Sequence, residues 1–197
     1  MNDTDQPKSN SILHHRRSIR LKGYDYSQAG AYFVTIVTQG RECRFGEVVD
    51  GAMQLSESGR IAEDCWRAIP DHFPDVELGA FVVMPNHVHG IIILNGNRRG
   101  TMDGRGTIYR APTMDTTDRA PTTEQFQKPV AGSLATILRA YKAAVTRRIN
   151  RELHLTGIWQ RNYYEHIIRN ENEHDRIHRY IEANPLNWGT DSENLGK

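Results

Sequence analysis

Apolar and polar positions divide this chain into segments with strand-like alternation and segments with helical spacing. The first strand-like segment, 31–39, is dense in β-branched and aromatic side chains. Asp50-Gly51 lies between two short apolar segments, and this dipeptide favours a two-residue hairpin turn. Pro85-Asn86 forms a second turn between two longer apolar segments. Strands are therefore predicted at 31–39, 45–49, 52–55, 76–84 and 88–94.

Helical spacing predicts four further segments. A first helix begins near Ser56 or Ser58, and Pro70 closes it. The segment 133–151 carries the clearest apolar stripe, and Ser133 can cap it. The stripe consists of Leu134, Ile137, Leu138, Tyr141, Val145 and Ile149. Two more helical regions are predicted at about 163–169 and 171–183, where Asn184-Pro185 stops the last one.

This order of elements predicts an α+β fold. An antiparallel sheet with helices packed on one face, of the ferredoxin or RNA-recognition type, accommodates it. The expected organisation is a basic flexible arm at 1–23, a single domain at 24–188 and a polar tail at 189–197. Within the domain, residues 95–132 are rich in Gly, Thr, Arg, Asp and Pro, which predicts a low-complexity linker.

The 197 residues carry 25 basic and 24 acidic side chains, so the net charge by itself points to no partner. The distribution is uneven, because the basic residues cluster in the arm and in the segment after the linker. Clustered cations of this kind suit a phosphate backbone, while solvated helix faces are the simpler alternative. The candidate contacts are Arg16, Arg17, Arg20, Lys22, Arg139, Lys142, Arg147, Arg148 and Arg161.

The sequence gives no sign of secretion or of a membrane span. Cys43 and Cys65 are its two cysteines, and their context resembles neither a zinc ribbon nor a disulfide scaffold. No apolar stretch approaches the roughly 18 residues that a membrane span needs. We therefore expect a cytoplasmic protein with reduced thiols and no membrane partner.

Two histidines in one apolar segment are the strongest chemical signal. Side chains two positions apart on a strand leave the same face, so His87 and His89 project together while Val88 points the other way. Imidazole is a common metal ligand, and an ion held by this pair can polarise a phosphate or a water. The alternative is a pair of histidines that only caps a strand.

A tyrosine near such an ion is a candidate nucleophile for attack on a phosphate. Tyrosine has a reference pKa of about 10 and needs a nearby metal or base before it forms an ester with phosphorus. Tyr141 lies on the sheet-facing stripe of its predicted helix, near Arg139 and Lys142. From spacing alone, an ordinary core aromatic remains the competing interpretation.

Four ordered motifs resemble one family. The segment 84–93, Met-Pro-Asn-His-Val-His-Gly-Ile-Ile-Ile, is similar to the His-hydrophobic-His (HUH) signature of single-tyrosine transposases, in particular the REP-associated tyrosine transposases, an IS200-like branch. Segments 138–142, 159–171 and 180–185 are similar to the same family in the same order. The resemblance runs from about Gly30 to Trp188, excluding the linker.

The resemblance implies cleavage and rejoining of single-stranded DNA, often beside a hairpin, with a divalent ion that is magnesium or manganese. It implies His87 and His89 as metal ligands and Tyr141 as the nucleophile that forms a 5′-phosphotyrosine link. DNA would bind through the clustered cations, with exposed aromatics such as Tyr24 or Trp188 stacking on unpaired bases.

Several assignments stay open within this resemblance. The position one helical turn after Tyr141, which is polar in a related branch, is Val145, so the third metal ligand is unassigned. The candidate donors are Asn86, Gln160, Glu165 and His166. Some branches carry phenylalanine in place of Tyr141, which leaves Tyr163 and Tyr164 as alternative nucleophiles.

Two other functions compete with strand cleavage. A catalytically silent relative would bind hairpin or single-stranded nucleic acid without cutting it. A zinc hydrolase would need a third protein ligand, and no helix carries a His-Glu-x-x-His arrangement. The DNA target and the oligomeric state, whether monomer or homodimer, are open.

Overall fold

The computed structural model describes residues 24–96 and 130–194. The predicted basic arm and most of the predicted linker lie outside these described residues. The elements, in chain order, are β1 Gly30–Val37, β2 Gly46–Val49, β3 Ala52–Leu55, α1 Glu57–Arg67, α2 Ile69–His72, β4 Val76–Val83, β5 His87–Leu94, α3 Leu134–Leu153, β6 Tyr164–Ile168 and α4 Glu171–Ala183. Two 3₁₀ turns follow β1 and α4, at Gln39–Arg41 and Trp188–Thr190.

Four strands form one sheet in the order β4-β5-β1-β6, and every neighbouring pair is antiparallel. The strands β2 and β3 form a separate hairpin around Asp50-Gly51, where both residues have positive φ as a tight hairpin turn requires. Setting that hairpin aside, the chain runs strand, helix, strand, strand, helix, strand. This order and this sheet confirm the predicted α+β fold of the ferredoxin type.

One face of the sheet carries α1 and α3 and the larger apolar core. Apolar side chains on both helices pack there against alternate residues of the strands, including Val34 of β1 and Ile92 of β5. Trp66 of α1 lies directly on Gly90, where an added Cβ would come within 2.3 Å of the indole ring. Gly90 therefore lets the helix approach the strand that bears the two histidines.

The opposite face of the sheet carries α4. Ile177 and Ile181 pack there against Phe33, Ile91 and Ile93, which form a second, smaller apolar cluster. Asn170 begins the helix, and its side chain accepts a hydrogen bond from the backbone N–H of Glu173. The prediction placed helices on one face, and α4 adds a layer on the other.

The predicted helical region at 163–169 is wrong, because residues Tyr164–Ile168 form strand β6. The segment pairs with β1, and Tyr164 and His166 lie opposite Thr35 and Phe33. Five residues are too few to separate a helical period from a strand period. Pairing with β1 decided the conformation, which the local pattern left open.

Within the two described ranges, no helix combines the length and the apolar character that crossing a membrane demands.

Candidate metal centre and active-site groove

His87 and His89 lie side by side on the α4 face of the sheet, as the alternation predicted. Their ring centroids are 4.3 Å apart, and both side chains are buried. Val88 between them belongs to the core on the opposite face. The pair is therefore a rigid feature of a central strand.

Hydrogen bonds fix both rings through their Nδ1 atoms. Nδ1 of His87 lies 2.8 Å from Oδ1 of Asn86, whose amide nitrogen donates to the carbonyl oxygens of Arg41 and Glu193. Because Oδ1 can only accept, His87 carries its proton on Nδ1 and presents a lone pair on Nε2. Nδ1 of His89 lies 2.8 Å from Oγ1 of Thr35. In metal-ligating histidines, a hydrogen bond to one ring nitrogen typically orients the ring so that the other nitrogen faces the metal.

Asp191 completes a three-residue group with the histidines. One donor atom from each of His87, His89 and Asp191 lies within 4.8 Å of the others, the one such group within residues 24–96 and 130–194. The amide of Asn184 donates to one carboxylate oxygen at 3.2 Å, and the backbone N–H of Glu193 donates to the other at 2.6 Å. Asp191 follows the second 3₁₀ turn, in the segment predicted as a polar tail.

Burial keeps the imidazoles neutral. It lowers the pKa of His87 to about 4, against an opposing contribution from the carboxylate of Asp191. Burial, with a smaller contribution from His87, also holds the pKa of His89 well below its ordinary value. Neutral imidazole is the form that ligates a metal, so both rings are ready to bind one near neutral pH.

The residues fit a divalent cation. Nε2 of His87 is buried and has no hydrogen-bond partner among the described residues, an arrangement that costs free energy unless something binds there. Two imidazole nitrogens and one carboxylate make a mixed donor set that suits manganese and accommodates magnesium with water in the remaining positions.

Tyr180 of α4 brings a phenol to this group. Its hydroxyl oxygen lies 3.2 Å from Nε2 of His89, and the residue is 46% exposed. Its ring packs against His89 and against Phe33, with centroid distances of 5.3 Å and 6.1 Å. Burial, followed by the carboxylate of Asp191, raises the pKa of the Tyr180 hydroxyl.

Tyr141, the nucleophile that the resemblance implies, does not share a cleft with the histidines. Tyr141 is 2% exposed in the core on the opposite face of the sheet, and its hydroxyl donates to the carbonyl oxygen of Ala62 at 3.2 Å. Burial raises its pKa well above the ordinary value. Tyr141 lies on the sheet-facing stripe of α3, as predicted, but that stripe meets the face that Val88 lines.

The other candidate donors lie elsewhere. Asn86 supports His87 and is not part of the three-residue group. His166 bonds Oε1 of Glu173 at 2.7 Å, and Glu165, its neighbour on β6, points to the opposite face. Gln160 accepts a hydrogen bond from Lys142 through its backbone oxygen. Neither Glu165 nor His166 belongs to the group of His87, His89 and Asp191.

The two alternative tyrosines are separated by the sheet. Tyr163 packs against the core on the α1–α3 face. Tyr164 lies on the histidine face, and its ring meets Phe33 with a centroid distance of 6.3 Å.

The two aromatic residues suggested for base stacking lie in different places. The ring of Trp188 lies 6.0 Å from the His87 ring, measured between centroids. The hydroxyl of Tyr24 lies 3.4 Å from the hydroxyl of Tyr32.

The predicted DNA-contacting cations are spread over the molecule. Arg16, Arg17, Arg20 and Lys22 lie outside the described residues. Arg139 and Arg147 are exposed on α3, across the sheet from the histidines, and Arg161 is exposed in the loop before β6. Burial lowers the pKa of Lys142 to about 8, and its ammonium donates to backbone oxygens of that loop. Arg148 pairs with Asp64 of α1.

Tyr180 and Asp191 were not predicted from the sequence as site residues. Tyr180 opens the last of the four motifs, so the resemblance itself contained the signal. Asp191 lies in a polar segment with no periodic pattern, and nothing local distinguishes it from the other acids near the end of the chain.

The geometry can be set beside known proteins. No family model matches the chain. An uncharacterized protein of Haemophilus influenzae is 40% identical over 184 residues, which cover 93% of this chain and 96% of that protein. A second protein of that bacterium, assigned as a REP-associated tyrosine transposase, is 26% identical over 167 residues, covering 84% of this chain and 75% of its own length.

A solved structure described as a REP-associated tyrosine transposase bound to a REP hairpin has a similar fold. The TM-score is 0.51 at 21% identity, with 83% of this chain and 71% of that chain covered. That likeness concerns the fold. The sequence similarity to the assigned transposase, with the four ordered motifs, leads to one conclusion: the chain belongs to the family of REP-associated tyrosine transposases.

Proposed function

We propose that this protein cuts and rejoins single-stranded DNA beside a hairpin, with Tyr180 as the nucleophile. The observation that carries the proposal is the 3.2 Å contact between the Tyr180 hydroxyl and Nε2 of His89, beside His87 and Asp191. Family membership supports DNA processing, and the hairpin named for the solved relative supports a hairpin substrate.

His87, His89 and Asp191 would hold a divalent ion, magnesium or manganese. When bound, that ion withdraws negative charge from the phosphate and favours attack on phosphorus. The protein itself orients the two imidazoles through Asn86 and Thr35, and it holds Asp191 through Asn184. A phosphate at this group would lie beside the phenol of Tyr180, which is 46% exposed.

The cleavage step balances without any nucleotide cofactor. The Tyr180 oxygen loses its proton to solvent water and forms a bond to the scissile phosphorus, while the bond from phosphorus to the 3′-oxygen breaks. The departing 3′-oxygen takes up a proton and becomes a free hydroxyl, and the 5′-phosphate stays on the tyrosine. Attack by a 3′-hydroxyl reverses the step and reseals a strand.

The test compares two tyrosines that differ in which face of the sheet they occupy. The protein is incubated with manganese and labelled hairpin oligonucleotides whose single-stranded flanks come from DNA around its own gene. We expect a covalent protein–DNA product from the unmodified protein and from Tyr141→Phe, and none from Tyr180→Phe. Tyr141→Phe removes one buried hydrogen bond, worth about 1 kcal/mol, and serves as the matched control.

Mapping the adduct by mass spectrometry assigns the nucleophile directly. A phosphotyrosine at Tyr141, Tyr163 or Tyr164 would overturn the assignment to Tyr180. If the unmodified protein binds the hairpin but yields no adduct with either ion, the chain is a silent hairpin-binding relative, the competing function named above.

A further inference from the structure

We infer that the groove between β6 and α4 holds the nucleotides next to the scissile phosphate, with one unpaired base stacked on Tyr164. This inference rests on the proposed function and adds a binding subsite to it. The groove is defined by Tyr164 and His166 on β6, Phe33 on its floor, and Arg176 and Tyr180 on α4.

Tyr164 presents an aromatic ring to solvent at the edge of the sheet. The residue is 44% exposed, and β6 is the last strand in the sheet order. Its ring packs at 68° to Phe33, which supports it from one side and fixes its orientation. A rigid, exposed ring on a strand is the platform on which single-stranded nucleic acid stacks its bases.

Phe33 connects this platform to the candidate nucleophile. The Phe33 ring lies 6.3 Å from Tyr164, 6.1 Å from Tyr180 and 5.3 Å from His89, measured between centroids. Tyr164 and Tyr180 are both exposed, and both pack on the same buried ring, Phe33. A strand whose phosphate lies beside Tyr180 would bring its neighbouring base to the exposed ring of Tyr164.

The charge of the groove suits a phosphodiester backbone. Glu173 lies at the α4 wall, and His166 at 2.7 Å and Arg176 at 3.7 Å both lie against its carboxylate. Arg176 is 76% exposed as a side chain, one turn before Tyr180 on the same helix. The acid of β6, Glu165, points to the opposite face. A phosphate along the groove would meet Arg176 beside a carboxylate that is already paired.

The experiment measures binding, so that it does not depend on cleavage. In the Tyr180→Phe background, dissociation constants are measured for a hairpin with a single-stranded flank and for the same hairpin without it. Tyr164→Ala should weaken binding of the flanked hairpin about tenfold and leave the blunt hairpin unchanged. Tyr164→Trp should retain the affinity, because indole also stacks.

A matched control is Leu155→Ala, which truncates an equally exposed apolar side chain, 43% against 44%, beyond the C-terminal end of α3. It should change neither dissociation constant. Thermal unfolding of every variant separates loss of binding from loss of fold. If Tyr164→Ala fails to fold, the test uses Tyr164→Trp, which should bind the flanked hairpin as tightly as the protein with Tyr164.

A second readout places the base. With 2-aminopurine substituted at successive flank positions, stacking on Tyr164 should quench fluorescence at one position, and Tyr164→Ala should restore it. Arg176→Gln should lower the salt dependence of hairpin binding by about one phosphate contact. The control is Arg67→Gln, which removes an exposed arginine of α1 that is also paired with a glutamate. This control should leave the salt dependence unchanged.

If Tyr164→Ala in the Tyr180→Phe background binds the flanked hairpin with the same dissociation constant as Tyr180→Phe alone, the inference is overturned. This holds even if the unmodified protein forms the covalent adduct. A change in solution mass, with nucleic-acid affinity unaltered, would show that the aromatic edge contacts a second copy of the chain and would also overturn it. A flank effect without any adduct from the unmodified protein would support the groove while refuting the cleavage proposal.

Discussion

At the scale of single residues, the two histidines owe their properties to neighbours that are distant in sequence. Asn86 precedes His87 directly, but Thr35 comes from β1 and Asp191 from the end of the described chain. These contacts select which nitrogen of His87 is free and bring a carboxylate to it. A His-x-His pattern therefore predicts a shared face, while the ligand set depends on tertiary contacts.

Asp191 provides the residue-scale prediction. Asp191→Asn keeps the size of the side chain and removes one charge from the three-residue group. We expect manganese affinity, measured by calorimetry, to fall at least tenfold, because a carboxylate is the charged donor of the set. Asp175→Asn, a neutralised acid on α4, should leave the affinity unchanged. Equal affinities in the two variants would exclude Asp191 as a ligand.

At the scale of elements, α4 is the helix that turns a ferredoxin-type sheet into a candidate active site. Ile177 and Ile181 anchor it to the face that carries the histidines, and this anchoring brings Tyr180 to His89. The predicted bounds of α4 agree with the structure, since its apolar spacing and its Asn cap are both local signals. The face against which it packs is set by strand pairing, which the helix sequence does not contain.

The cap of α4 provides the element-scale prediction. Asn170→Ala removes the acceptor for the backbone N–H of Glu173 and should lower the free energy of unfolding by about 1 kcal/mol. The first turn should also exchange its amide hydrogens faster, because the backbone N–H of Glu173 loses its acceptor. Urea unfolding and hydrogen exchange measure both effects, with Asn162→Ala, in the loop before β6, as the control. Unchanged exchange in that turn would contradict the prediction.

At the scale of the whole molecule, the sheet separates two sets of residues that the sequence pattern grouped together. Tyr141 and the cations of α3 lie on one side, and the histidines, Asp191 and Tyr180 lie on the other. A nucleophile and a metal group on opposite faces of this four-stranded sheet cannot share a phosphate. This separation moves the candidate nucleophile from α3 to α4.

Burial of His87 gives a prediction for the stability of the whole protein. Its pKa is about 4 in the folded state, against an ordinary 6.5, so the unfolded chain binds more protons between these values. In EDTA, the free energy of unfolding should therefore fall as the pH drops from 6.5 towards 4, by up to about 1.4 kcal/mol per pH unit from this group. The groups facing His87 are His89, Asp191 and Arg41, and the carboxylate opposes the effect.

Urea unfolding of metal-free protein at several pH values measures this slope. His87→Asn should unfold with a shallower dependence on pH in the same window, while stability above pH 6.5 changes less steeply in both proteins. Parallel curves for the two proteins would mean that His87 is protonated as easily in the folded state as in the unfolded chain.

The sequence by itself determined most of the elements and two members, His87 and His89, of the candidate metal group. Alternation placed His87 and His89 on one face of a strand, helical stripes bounded α3 and α4, and turn residues defined the hairpin, because these signals arise from periods of two and 3.6 residues along the backbone. The four motifs gave the family. The short β6 was mistaken for a helix, since its strand state depends on pairing with β1.

The tertiary structure decided which face each element covers and which residues meet there. Tyr141 and Tyr180 both lie on helices that pack against the sheet, and the sequence holds no record of the side on which each helix lies. Asp191 reaches the histidines only because the chain after α4 folds back over them. Contacts between residues far apart in sequence form through the packing of complete elements, and so the site is a property of the fold.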